Sequence, residues 1–140
     1  MTSIFTRIIN DEIPGIFVWR DSRAVGLMDI NPLAPGHVLV VPVDAVDHWL
    51  DLDVDVARHL TYVAQAIGRA QQEALNPARV GLMIAGFEVP HTHLHLVPME
   101  SMANLDFANR DPSPEPGSLA QNAEAIRDEL RAMGYDEVAS

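Results

Sequence analysis

The chain has 140 residues, with 20 Asp plus Glu against 9 basic residues, 6 His and no Cys. That length suits one domain, or one domain with a tail, and buries a core without covalent staples. Absent cysteine excludes disulfides, thiolate nucleophiles and Cys-ligated zinc or iron–sulfur centres, while a formal charge of −11 argues against nucleic acid as the main partner, since phosphates demand a basic footprint.

All the basic residues are Arg, which removes Lys Schiff bases and P-loop lysines as well. Met1-Thr-Ser-Ile-Phe-Thr-Arg7 lacks the basic flank and apolar stretch of an export signal. The longest apolar run, Val38 to Val43, contains Pro42 and is too short to span a bilayer. The expected address is therefore the cytoplasm, with no membrane partner.

In chain order, Ile4, Phe5, Ile8 and Ile9 fall at helical spacing after Ser3 and predict a short amphipathic helix. Pro14-Gly15 closes the following turn. Ile16 to Arg20 and Ala24 to Ile30 read as a hairpin around Asp21-Ser-Arg23, and His37 to Val41 as a third strand. Asp51, Asp53 and Asp55 mark the start of a long helix, because acidic groups complement its positive end. Its apolar stripe is Val56, Leu60, Val63, Ala64, Ile67 and Ala70, and Asn76-Pro77 ends it. Val80 to Ala85 and His91 to Val97 are the fourth and fifth expected strands.

Three prolines between Asp111 and Gly117 predict an extended linker. Beyond it Ser118 is the expected cap of a last helix carrying Leu119, Ala123, Ile126, Leu130 and Met133, which docks on the body of the protein. The expected division is a domain at residues 1–108, a linker at 109–117 and a helical tail at 118–140.

The chemistry concentrates in His91-Thr-His93-Leu-His95-Leu-Val97. Alternation on a strand places the imidazoles on one face, expected to be exposed, and Thr92, Leu94 and Leu96 on the buried one. Spacing alone leaves three uses open: catalysis or phosphate binding, metal ligation, and structure.

This segment resembles the His-φ-His-φ-His-φ-φ signature of the histidine triad (HIT) superfamily. The resemblance spans roughly residues 3–108 and includes Ile4-Phe-Thr-Arg-Ile-Ile9, Glu12-Ile-Pro14, Met28-Asp29-Ile-Asn-Pro32 and Pro35-Gly36-His37-Val-Leu-Val-Val-Pro42. The look is that of the Hint-like branch. It implies an α+β fold, with a five-stranded antiparallel sheet, a long packed helix and a homodimer.

It also implies hydrolysis or transfer at the α-phosphorus of a purine nucleotide or nucleoside phosphoramidate, through a nucleotidyl-histidine. His93 is the implied nucleophile, His95 the donor to a phosphate oxygen or leaving group, and His91 and His37 the supporting imidazoles. Asp29 is the implied ribose ligand, and Ile4, Phe5, Ile8, Leu27 and Ile30 match or neighbour the base pocket. No cofactor is implied. Ser3-Ile-Phe-Thr6 and Pro42-Val-Asp-Ala45 stand where Hint-like proteins often carry Cys-φ-Phe-Cys and Pro-Lys-x-His zinc ligands, so only His91 remains of that set and no metal is expected.

The loop Ile84-Ala-Gly86-Phe-Glu88-Val-Pro90 also departs from the family's Asn and Gly-Gln-Ser/Thr-Val pattern. It leaves Gly86 and nearby backbone N–H groups for the phosphate. It also sets Glu88 where like charge opposes an anion, with pairing to an Arg or a histidine among the arrangements open to it. A nucleotide-binding module with weak catalysis and a metal-binding histidine cluster are the competing readings.

Overall fold

A computed structural model describes residues 2–139. Helix α1 (Ile4–Ile9) begins where the Ser3 hydroxyl accepts the Thr6 N–H at 3.1 Å, satisfying an orphan donor of the first turn. Strands β1 (Phe17–Arg20) and β2 (Ala24–Met28) form the expected hairpin. Asp21 Oδ1 closes its turn by accepting the N–H groups of Arg23 and Ala24 at 2.7 and 2.9 Å.

Strand β3 (Val38–Pro42) follows, then the long helix α2 (Val54–Leu75), then β4 (Arg79–Met83) and β5 (Leu94–Met99). The five strands pair antiparallel in the order β1-β2-β3-β5-β4, so the α+β expectation holds. Asp53 caps α2 through the Asp55 N–H at 2.9 Å, and Asn76 ends it in the left-handed region at φ 51°, which Asn tolerates better than most residues.

The two sheet faces do different work. Leu60, Val63, Ala64, Ile67 and Ala70 of α2 pack with Val18, Val38, Val40, Leu94 and Leu96 into the main core. Gly26 permits this approach, because a Cβ there would stand 2.7 Å from Ile67 Cδ1. On the opposite face, Phe17, Leu27, Leu39, His95 and Met83 follow one another across the strands, and α1 covers part of that row through Phe5 and Ile8. The site therefore forms on the face that α2 leaves free.

Helix α3 (Ser118–Ala132) adds Ala123, Ile126 and Leu130, all fully buried, to the main core. Gly117, not Ser118, occupies the N-cap, and it offers no side-chain cap bond. Leu119 is half-buried and Met133 exposed, so the apolar stripe is shorter than its spacing suggests.

Other boundaries shift too. β2 stops at Met28 rather than Ile30, since Asp29 turns the chain by accepting the Asn31 N–H at 2.9 Å. β3 starts at Val38 rather than His37, and β4 spans Arg79–Met83 rather than Val80 to Ala85. Asp51 lies in a separate 3-10 turn, Trp49–Asp51, ahead of α2. Among the described residues, no helix is long and apolar enough to cross a membrane.

Candidate active site

The strand expected over His91 to Val97 begins only at Leu94, so His91 and His93 occupy the extended approach to β5. Both faces of this segment are covered: His91, His93 and His95 are each 2 % exposed or less, as are Thr92 and nearly Leu94 and Leu96 at 3 %. The exposed histidine face is thus corrected to a buried one, because α1 and the loop after β5 close over the side where the imidazoles stand.

His93 Nδ1 lies 2.8 Å from the carbonyl oxygen of His91. A carbonyl only accepts, so Nδ1 carries a proton, and in the neutral ring Nε2 keeps a free lone pair. Phe5 meets this ring edge-on, with centroids 5.0 Å apart.

His95 has the opposite tautomer. The Leu33 N–H donates to His37 Nδ1 at 3.0 Å, which places the His37 proton on Nε2. That nitrogen lies 3.0 Å from His95 Nδ1 and donates to it, leaving the His95 proton on Nε2. His95 Nε2 is buried with no hydrogen-bond partner among the described residues, an N–H donor held ready for an acceptor that enters the cavity. Burial drives the pKa of His37 down to about 4, against the nearby Asp29 carboxylate, and that of His95 down to about 3, with His37 and His93 adding to the effect. Both rings are neutral at pH 7.

His91 does not reach the cavity. Its Nε2 donates to the Pro42 carbonyl at 2.7 Å, and its Nδ1 accepts from the Ser3 hydroxyl at 2.6 Å. Burial lowers its pKa, partly offset by the bond to Pro42. Because Ser3 also caps α1, His91 pins that helix to the end of β3 and thereby sets Phe5 against His93.

The cavity on this face, about 300 Å³, is lined by Ile4, Phe5, Ile8, Leu27, Ile30, Asp29, Glu88, His93 and His95 among the residues singled out in the sequence. Ile30 is 69 % exposed and stands at the rim. Gly86, His37 and His91 are not part of the lining. Gly86 adopts φ +100°, a conformation that disfavours other residues, and an added Cβ there would meet only open space.

Arg110 was missed by sequence reasoning. It donates from Nη1 to Asp29 Oδ2 at 3.0 Å and to the Asn31 carbonyl at 2.7 Å, and from Nη2 to both Glu88 oxygens at 3.1 and 2.8 Å. Its guanidinium lies 4.9 Å over Phe107, whose ring meets His95 at 5.4 Å. A signal did exist: Arg110 is the sole basic residue between Arg79 and Arg127 in a strongly acidic chain.

Two donor clusters invite a metal, Asp29-His37-His95 and Glu88-His93-His95. Neither fits well, because the hydrogen bonds that order His37 place protons on the His95 and His37 Nε2 atoms, where a metal needs lone pairs. At the position of the Hint-like zinc site, Ser3 replaces a thiolate and both His91 nitrogens are already engaged. The donor set does not suit zinc there.

A solved relative shows how closely the scaffold is shared. A zinc-bound histidine triad family protein from Mycobacterium smegmatis superposes with a TM-score of 0.80 at 27 % identity, covering 95 % of this chain and 96 % of that one. A HIT family hydrolase from Legionella pneumophila gives a TM-score of 0.58 at 31 % identity, over 69 % of this chain and 91 % of the other. An uncharacterised HIT-like protein from Borreliella burgdorferi is 34 % identical over 102 residues, or 68 % of this chain and 73 % of that protein. The family model for the HIT domain matches residues 10–102. With the histidine cluster, the sheet order and this match in agreement, the chain belongs to the HIT family.

Proposed function

We propose that the protein is a nucleotide hydrolase or nucleotidyl transferase that acts at the α-phosphorus of a purine nucleoside phosphoramidate or dinucleotide. The observation that carries the reading is the complementary pair of tautomers at one cavity: a lone pair on His93 Nε2 beside an unpartnered N–H on His95 Nε2. A nucleophile and an oxyanion donor are what phosphoryl transfer needs.

In this reading the apolar walls from Ile4, Phe5, Ile8, Leu27 and Ile30 receive the base. Asp29 receives the ribose hydroxyls through the acceptor capacity it retains beyond Arg110 and Asn31. The His93 Nε2 lone pair forms a bond to phosphorus while the bond to the leaving group breaks. The leaving group departs with that electron pair and takes a proton from water. The His93 ring then bears positive charge, which the His91 carbonyl stabilises through Nδ1–H. His95 holds a phosphate oxygen by a hydrogen bond and keeps its proton, since losing it would leave an anionic ring in a buried place. A water molecule then attacks phosphorus, releases a proton and frees His93.

The test is covalent trapping. Protein incubated with adenosine phosphoramidate or a diadenosine polyphosphate is quenched at alkaline pH, and mass spectrometry is expected to find a nucleotidyl adduct on the peptide bearing His93. His93→Ala is expected to lose both adduct and turnover, and His93→Asn to lose both while still binding nucleotide. Near wild-type turnover in either variant excludes His93 as the nucleophile. The second reading, a binding module with weak catalysis, draws on the Glu88 carboxylate 3.9 Å from His95 Nε2, and it predicts nucleotide affinity without any adduct.

A further inference from the structure

Glu88 and Arg110 bring fixed charge to the end of the cavity where His95 stands. Glu88 Oε1 lies 3.9 Å from His95 Nε2, and its carboxylate is held by Arg110 Nη2 at 3.1 and 2.8 Å. Arg110 is anchored in turn by Asp29 Oδ2 and the Asn31 carbonyl. These contacts engage both terminal nitrogens of the guanidinium, so two carboxylates and a carbonyl already hold it where a phosphate would approach. Two carboxylates against one guanidinium leave this part of the wall with a formal charge of −1, and neutral His37 and His95 do not offset it.

Arg110 also comes from the continuation of the chain beyond residues 10–102, the segment that matches the HIT domain. That continuation is fastened beside the site by the Asp111 N–H on the Pro32 carbonyl at 2.9 Å and by Asn31 Nδ2 on the Asp111 carbonyl at 3.2 Å.

We propose that the Arg110–Glu88 ion pair is a specificity device: it holds a carboxylate beside His95 and thereby disfavours nucleotides that carry further phosphate charge beyond the α-phosphate. The inference rests on the proposed nucleotide chemistry and names the substrate class within it, a nucleotide whose leaving group is uncharged or cationic. Arg110 acts as a positioning residue through Glu88, and it is not a receiver for phosphate.

Equilibrium binding separates these roles without requiring turnover. Affinities for adenosine 5′-monophosphate and 5′-diphosphate are measured by calorimetry on the full chain. The wild type is expected to prefer the monophosphate. Glu88→Gln, and Glu88→Ser as an independent replacement, are expected to shift the ratio toward the diphosphate by about ten-fold, the scale of one like charge removed from a partly solvated wall. The double variant Glu88→Gln with Arg110→Lys, which keeps the wall charge of Glu88→Gln and removes the guanidinium fork, is expected to keep that shifted ratio. An unchanged ratio in both Glu88 variants overturns the proposal, as does a double variant that returns to the wild-type ratio, since Arg110 is then a phosphate receiver. If neither nucleotide binds the wild type, the proposed function itself fails, a result distinct from both.

Discussion

His37 Nε2 donates to His95 Nδ1 across 3.0 Å, and the direction of that bond is fixed by the Leu33 N–H on the far side of the His37 ring. A backbone amide can only donate, so one peptide group determines the tautomer of two imidazoles in series. The loop that provides it is itself secured by α2, where the buried Gln71 donates to the Gly36 carbonyl at 2.8 Å and to the Leu96 carbonyl at 3.1 Å. The long helix thus reaches the site through Gln71, from the opposite face of the sheet.

His37→Phe keeps the volume of the ring and removes both bonds. The Leu33 N–H then lacks its partner, at a cost of about 1–3 kcal/mol in stability. Without its donor at Nδ1, His95 is expected to populate both neutral tautomers, visible in the ring ¹⁵N shifts. Turnover of a nucleoside phosphoramidate is expected to fall by roughly ten-fold or more, as for loss of an ordered oxyanion donor. An unaltered His95 ¹⁵N pattern in this variant contradicts the relay.

Much of this arrangement was legible in the sequence, and the parts that were not share a physical reason. Strand and helix types follow from local periodicity, so the sheet, α2 and the hairpin around Asp21 could be read directly. Burial of His91 and His93 could not be, because it depends on α1 folding back, and α1 is pinned there by Ser3 to His91, 88 positions apart. Arg110 was invisible for the same reason, since its contacts with Asp29 and Glu88 span 81 and 22 positions. Glu88 raised the need for a cationic partner, but only the path of the chain after β5 selects which Arg meets it.

Asp29→Asn tests the ribose assignment. Asp29 is 7 % exposed and binds both Arg110 and the Asn31 N–H, so the change loosens the loop as well as the ligand. The informative quantity is therefore a difference between ligands. Ribonucleotides are expected to lose roughly 1–3 kcal/mol of affinity, the range for hydrogen bonds to a charged group, and 2′,3′-dideoxy analogues far less. Equal losses for both, measured by calorimetry, identify Asp29 as a residue of the turn alone.

Acid is expected to weaken the fold through the same histidines. Unfolded histidine titrates near 6.5, whereas folded His37 and His95 titrate near 4 and 3. Between those values the unfolded chain binds protons that the folded chain refuses, so stability is complete above 6.5 and falls as pH drops toward 3. Burial of His91 acts in the same direction. Urea midpoints between pH 7.5 and 5 isolate this effect, since most carboxylates titrate lower. The loss over that interval is expected to be shallower in His37→Phe than in the wild type; parallel curves refute the assignment to His37.

The sheet's edges differ in a way that predicts assembly. Beside β1 the chain's last described residues run as cover: Arg20 N–H donates to the Glu137 carbonyl at 2.9 Å, and Trp19 bridges Val138. At the other edge, among the described residues, β4 pairs with β5 alone and presents Leu82 at 51 % exposure, next to a shallow groove formed with Thr61, Ala64, Gln65 and Gly68 of α2. An uncovered edge with an apolar side chain favours pairing with a second copy. The protein is therefore expected to sediment as a homodimer at micromolar concentration, joined through β4 and α2. Leu82→Arg removes an apolar contact worth about 1.5–3 kcal/mol when fully buried, and in a two-fold interface the loss counts on both subunits. This variant is expected to shift the protein to monomer with its far-ultraviolet circular dichroism unchanged. A wild-type monomer under these conditions rules out the dimer, and a Leu82→Arg protein that stays dimeric places the interface elsewhere.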